Sequence, residues 1–83
     1  MTTRISNLRN GLQLRAARVL AGLSQEALAK AVGVDPRSVR RWESSITQKP
    51  TGCPNDLRIE ETLRLNGVAL TSTPAIGVQQ IIR

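Results

Sequence analysis

Three arginines within five residues are the side chains of this sequence with the clearest binding chemistry. Arg37 and Arg41 lie four positions apart, so in a helix both face the same side, with Ser38 and Arg40 flanking them. A guanidinium group can donate two parallel hydrogen bonds to O6 and N7 of guanine, and such a pair contributes about 1–3 kcal/mol of discrimination between bases. The alternative is a basic helix face that is exposed to water and has no ligand.

Two short helices joined at Gly33 are predicted to position these arginines. Ser24 is suited to cap the first helix, and Gly33 ends it because glycine tolerates the positive φ of a tight turn. Asp35 and Pro36 are a typical start for the second helix, residues 36–44. Two helices joined by a sharp turn are the outline of a helix-turn-helix, which places its second helix in the major groove of DNA. The positions predicted to face the core are Leu28, Ala29, Val32, Val39 and Trp42.

A first helix is predicted to precede this pair. It begins at about Asn7, with Ser6 or Asn7 itself as the N-cap, and Gly22 ends it in a left-handed conformation. Its apolar residues recur at helical spacing, which predicts an amphipathic helix that packs through one apolar side. These residues are Ile5, Leu8, Leu12, Ala16, Val19 and Leu23.

The second half of the sequence is predicted to hold a loop, a fourth helix and a tail. Residues 44–54 have the composition of a loop, and the helix opens at Pro54 and ends at Gly67. The tail is rich in β-branched residues, which favours a small β-hairpin, but Thr73-Pro74 can also start a fifth helix. The expected division of the chain is a domain of residues 1–66 and a tail of residues 67–83.

The composition predicts a small cytoplasmic binding protein rather than an enzyme. The 83 residues make one domain, with no signal peptide and no apolar run long enough to span a bilayer. Histidine and tyrosine are absent and Cys53 is the single cysteine, so we expect no disulfide, no metal site and no cofactor. The net charge of +6 arises within residues 1–50, which carry nine basic and three acidic residues. This surplus favours a polyanionic partner, and an inert basic surface is the alternative.

Residues 8–66 resemble the DNA-binding domains of phage repressors and Cro-type proteins, the XRE-like helix-turn-helix family. The residues that match are Leu23-Ser24-Gln25-Glu26-Ala27-Leu28-Ala29, then Val32-Gly33-Val34, then Ser38-Val39-Arg40-Arg41-Trp42-Glu43. The resemblance implies an all-α, lambda-repressor-like bundle of four to five helices, with or without a small C-terminal β-hairpin.

The resemblance also implies roles for individual residues. The positions of Pro36, Arg37 and Arg41 face base edges in the family, although proline offers no side-chain hydrogen bond at the first of them. Arg18 is expected to form a structural ion pair with Glu43. Base contacts are expected from Arg37, Ser38 and Arg41. Contacts to the DNA backbone are expected from Ser24, Gln25, Arg40, Ser44, Ser45, Thr47 and Lys49.

The resulting hypothesis is a sequence-specific, double-stranded DNA-binding transcriptional regulator. One copy covers a short half-site, so we expect a homodimer on half-sites about one helical turn apart. The apolar, charge-balanced residues 57–83 are expected to supply the dimer contact. The alternative is an antitoxin or a protein-interaction adaptor on the same scaffold, with a toxin as one kind of protein partner.

Overall fold

Four α-helices and a two-stranded antiparallel sheet follow one another in the computed structural model, which describes residues 6–44, 55–71 and 76–81. They are α1 (Gly11–Leu20), α2 (Gln25–Val32), α3 (Pro36–Ser44), α4 (Asn55–Leu65), β1 (Val68–Thr71) and β2 (Gly77–Gln80). The hairpin favoured by the sequence is confirmed, and the alternative fifth helix is wrong because residues 77–80 pair with β1. Thr73 and Pro74 themselves lie outside the described residues. The label all-α therefore fits the fold only loosely.

Twelve buried apolar side chains in the described part of the chain form one core. Each large aliphatic side chain contributes about 1.5–3 kcal/mol by leaving water, so this cluster is the main source of stability. Every helix and β1 contribute to it, and β2 adds the half-buried Val78. The core residues are Leu8, Leu14, Ala17, Leu28, Ala29, Val32, Val39, Trp42, Ile59, Leu63, Val68 and Leu70.

Helix α1 begins at Gly11, four residues later than predicted. Its N-cap is Asn10, whose Oδ1 accepts a hydrogen bond from Gln13 N at 2.8 Å. The expected caps contact α4 instead, because Asn7 Nδ2 donates to Glu60 Oε2 at 3.0 Å. Ser6 is buried and its Oγ donates to Asp56 O at 3.5 Å. The segment before α1 is therefore held by α4 and does not extend the helix.

Helix α1 is apolar on two sides. Of the residues predicted to pack, Leu8 and Leu23, which flank the helix, lie in or against the core, but the prediction is wrong for those within the helix. Leu14 and Ala17 are fully buried. Leu12 and Val19 are 54% and 62% exposed, and Ala16 is exposed as well. Both sets of residues follow helical spacing, and the core selects between them through contacts that are distant in sequence. The helix therefore leaves an apolar stripe on its outer side.

The buried side chain of Gln13 fastens the hairpin to α1. Its Nε2 donates to the carbonyl oxygens of Thr71 and Gly77, each at 2.9 Å. These two residues are partners in the register of β1 and β2, so one amide group holds the turn end of both strands. At the other end of the hairpin, Ile81 N donates to Gly67 O at 2.7 Å. This bond continues the pairing of the two strands to the residue that precedes β1.

Candidate nucleic-acid interface

The turn between α2 and α3 has the geometry predicted from its residues. Ser24 Oγ accepts a hydrogen bond from Ala27 N at 3.0 Å and so caps α2. Gly33 ends α2 with a φ of +85°, and its N donates to Ala29 O at 2.8 Å. Residues with a Cβ adopt this φ at a cost of roughly 1–2 kcal/mol, which explains the glycine. The predicted caps are confirmed, and the backbone itself sets the change of direction between the helices.

Helix α3 is capped and oriented by residues that leave its arginines on the outside. Asp35 Oδ1 accepts a hydrogen bond from Arg37 N at 2.8 Å, which starts the helix where the sequence predicted. Val39 and Trp42, three positions apart, are 0% and 3% exposed and face the core as predicted. Because these two side chains fix the rotation of α3 about its axis, the residues between them face outward.

The three arginines of α3 form its exposed basic face. The side chain of Arg37 is 87% exposed, and its Nε lies 3.5 Å from Asp35 Oδ1. An exposed pair of this kind contributes little to stability, so Arg37 can turn to another acceptor at small cost. Arg40 and Arg41 are also exposed, whereas Ser38 is half-buried. The arginines are therefore more accessible to a ligand than the serine beside them.

A nearly buried ion pair braces α3 against α1. Arg18 Nε and Nη2 donate to the two carboxylate oxygens of Glu43 at 2.6 and 3.1 Å, and the side chains are 13% and 5% exposed. Arg18 Nη1 also donates to Leu23 O at 2.9 Å, and Gln25 Nε2 donates to Glu43 Oε1 at 3.1 Å. The predicted pair is present, and it joins α1, the following turn, α2 and α3. Two parallel charge-assisted hydrogen bonds fix the direction of α3 as well as its distance from α1.

Four of the seven expected backbone contacts lie in the described part of the chain, at the two ends of the helix pair. Gln25 uses one hydrogen bond on Glu43, and because an amide group has two N–H donors, a donor remains for a phosphate. Ser24 is exposed at the start of α2, and Ser44 Oγ donates to Arg40 O at 2.8 Å at the end of α3. The other three, Ser45, Thr47 and Lys49, lie outside the described residues.

An open cleft of about 740 Å³ lies between α1, the start of α2 and the end of α3. The exposed Arg15 and Arg40 line it, together with the Arg18–Glu43 pair. Since that pair neutralises itself, the two exposed guanidinium groups give the cleft its positive charge. The sequence interpretation missed Arg15, because no local pattern connects it with α3. The one available signal was its position three residues before Arg18 on the same helix.

The described part of this face offers hydrogen-bond donors and positive charge to a ligand. Over residues 6–44, 55–71 and 76–81, no group of three or more His, Cys, Asp or Glu residues could hold a metal ion. None of the helices described above is both long enough and apolar enough to cross a membrane.

Comparison with known proteins marks out the part of the chain that builds the basic face. Residues 14–52 match the family model described as helix-turn-helix. The match begins within α1, covers α2 and α3, and ends before α4. It therefore includes the capped turn, the bracing ion pair and the arginines of α3. No curated protein matches the chain.

Proposed function

We propose that the chain is a sequence-specific, double-stranded DNA-binding transcriptional regulator, because the match of residues 14–52 to the helix-turn-helix family model supports a DNA-binding domain of the XRE/Cro type. Helix α3 is the recognition helix in the major groove, and α2 crosses the DNA backbone. The observation that carries the proposal is the exposed arginine face of α3, held in direction by the pair of Arg18 and Glu43.

Base recognition is assigned to the outer side of α3. Arg37 and Arg41 are spaced for two successive contacts along the groove, and each can bind the O6 and N7 atoms of a guanine. Ser38 lies between them and can contact either kind of base pair with its hydroxyl, although it is partly covered. Pro36 has no side-chain donor, so the first helical position adds a stable start rather than a base contact.

Backbone contacts are assigned to the borders of this face. The start of α2 presents Ser24, Gln25 and the positive end of the helix dipole to a phosphate. Arg40 reaches a phosphate from the other side of the cleft, and we add Arg15 to this group. The further expected contacts are Ser44, Ser45, Thr47 and Lys49.

We propose a homodimer as the active form, because one recognition helix covers only a short half-site. The four helices would then correspond to a lambda-repressor-like bundle in which the hairpin takes the place of a fifth helix. Residues 1–66 serve as the DNA-binding part and residues 67–83 as the tail. Four apolar residues of 57–83 lie in the core, which are Ile59, Leu63, Val68 and Leu70. In the described part of this segment we assign the contact to the hairpin side, where Ile76 is 50% exposed.

Selection from random duplex DNA, followed by a salt titration on the selected site, tests the proposal. Binding through 6–10 phosphates should weaken by roughly 10³–10⁵ between about 50 and 200 mM salt. Arg41→Ala should relax the base preference at one position, whereas Lys49→Ala should weaken all sequences alike. Arg64→Ala is the matched control, since it removes one exposed positive charge from α4, outside the family match. Unchanged binding and preference in both the Arg41 and the Lys49 variants would exclude α3 as the recognition helix.

The exposed apolar residues favour one competing function, an antitoxin or adaptor that binds another protein such as a toxin. A protein of this kind needs no base preference of its own. Selection that returns no enriched sequence, together with a salt slope near zero, would favour the adaptor over the regulator.

A further inference from the structure

Helix α1 and the hairpin share an exposed apolar surface that adjoins the basic cleft at Leu12 and Arg15 and extends away from it. Two adjoining grooves of about 460 and 230 Å³ run between α1 and β2, and both are lined by Leu12, Ala16 and Val78. Leu12 is 54%, Val19 62%, Leu20 43% and Ile76 50% exposed. We call this surface the α1–β2 face and define it by its six apolar residues, Leu12, Ala16, Val19, Leu20, Ile76 and Val78.

The composition of α1 favours a partner that covers this face when the protein is functional. A surface helix normally has one apolar stripe and one polar side, and a helix that is apolar all round is buried. In α1 the inner side holds Leu14 and Ala17 and the outer side holds the stripe, with Arg15 and Arg18 as its charged residues. Several large aliphatic side chains of α1 remain in water in the single chain, so the favourable free energy of their burial is not gained there.

We propose that the α1–β2 face is the surface through which two copies of this chain associate. The inference rests on the proposed function, which calls for two recognition helices, and it names the surface that joins them. In a symmetric dimer the same patch of both subunits forms the interface, so the patch must be complementary to itself in shape and charge. Among the described residues that line the two grooves, Arg15 is the one charged residue, and it lines the basic cleft as well.

Charge favours a second copy over a charged partner. The centre of the face is uncharged, so a copy meets no like charge there, whereas an acidic or basic peptide would find no opposite charge. The chain as a whole carries +6, so two copies repel each other outside the contact. Added salt screens this repulsion and should strengthen the association, while it weakens binding to DNA.

Size is also consistent with a pair. A standard interface buries about 800 Å² on each partner, roughly one-seventh of the 5405 Å² surface of this chain. Two copies in contact have centres about one molecular width apart, which is comparable with the ~34 Å between half-sites one helical turn apart.

Sedimentation equilibrium on Val19→Glu and Leu65→Glu tests the proposal. The two residues are 62% and 64% exposed in the last turns of α1 and α4, so both substitutions add one carboxylate at a similar site. Val19 lies in the face and Leu65 lies outside it. Val19→Glu should raise the dissociation constant of the dimer by about tenfold or more, because a charge is buried among apolar groups. Leu65→Glu should leave the dissociation constant within about twofold, and thermal unfolding checks that both variants fold.

The outcomes separate this inference from the proposed function. If both substitutions weaken the dimer equally, the α1–β2 face is not the dimer interface, even though the chain is a dimer. The proposal is also wrong if the free protein has the 9.0 kDa mass of one chain and a duplex with two half-sites binds only one chain. The α1–β2 face would then be a surface for a different protein. Binding to a single half-site tests the regulator separately, because one copy suffices there. Loss of that binding with an intact dimer would refute the regulator and not the dimer.

Discussion

Replacing Glu43 by glutamine removes the charge from the bracing pair and keeps the shape of the side chain. Arg18 retains its hydrogen bond to Leu23 O at 2.9 Å but loses the carboxylate that accepts its other two bonds. The two side chains are 13% and 5% exposed and meet water only at the cleft, so water is a poor replacement for the carboxylate. Breaking a buried pair by removal of one partner costs about 3–5 kcal/mol.

That loss is large for a chain of this length. A stability of about 0.05–0.15 kcal/mol per residue corresponds to roughly 4–12 kcal/mol for 83 residues. The melting temperature of Glu43→Gln, followed by circular dichroism, should fall by about 12 °C or more. Affinity for DNA should also fall at temperatures where the variant is still folded, because Glu43 sets the direction of α3.

Glu61→Gln is the matched control for this prediction. Arg64 Nε and Nη2 donate to Glu61 at 3.0 and 2.7 Å, which is the same two-bond geometry on an exposed pair. Water can replace that carboxylate, so the melting temperature should change little. The double change Arg18→Met with Glu43→Leu should recover much of the stability, since it leaves no buried charge. Equal shifts for Glu43→Gln and Glu61→Gln would refute the reasoning.

The cleft and the hairpin lead to two other expectations. Arg15→Ala should reduce the slope of log affinity against log salt by about one and leave the preferred DNA sequence unchanged, as measured by fluorescence anisotropy. An unchanged slope would remove Arg15 from the phosphate contacts. Gln13→Leu should destabilise the fold by about 1–3 kcal/mol, because it removes the hydrogen bonds from the buried Gln13 Nε2 to Thr71 O and Gly77 O. Hydrogen exchange should then speed up in the hairpin before the helices, and uniform protection would contradict this.

The helix pair could be predicted because its signals are local. Ser24, Gly33 and Asp35 act within four residues of their own positions, so the sequence alone indicates where α2 begins and ends and where α3 begins. Val39 and Trp42 lie three apart, and that spacing is sufficient to turn the arginines of α3 outward.

The features that the sequence did not indicate depend on residues far apart in the chain. Gln13 donates hydrogen bonds to acceptors that lie 58 and 64 residues away in the sequence, and Asn7 donates to Glu60, 53 residues away. These contacts decide where α1 begins and which of its two apolar sides is buried. Arg15 enters the candidate site for the same reason, since the cleft exists only after α1 has packed beside α3.

In helix α3, the residues that pack against the rest of the fold are different from the residues that are available to a ligand. The buried Val39, Trp42 and Glu43 carry the attachment, and the exposed Arg37 and Arg41 are the residues that we propose contact bases. A duplicated gene could therefore acquire a new operator through changes in two surface codons, while the free energy of unfolding stays nearly constant. The outward-facing residues of α3 can therefore be replaced without compensating changes in the core. On the proposed function, DNA specificity could diverge among related proteins in this way.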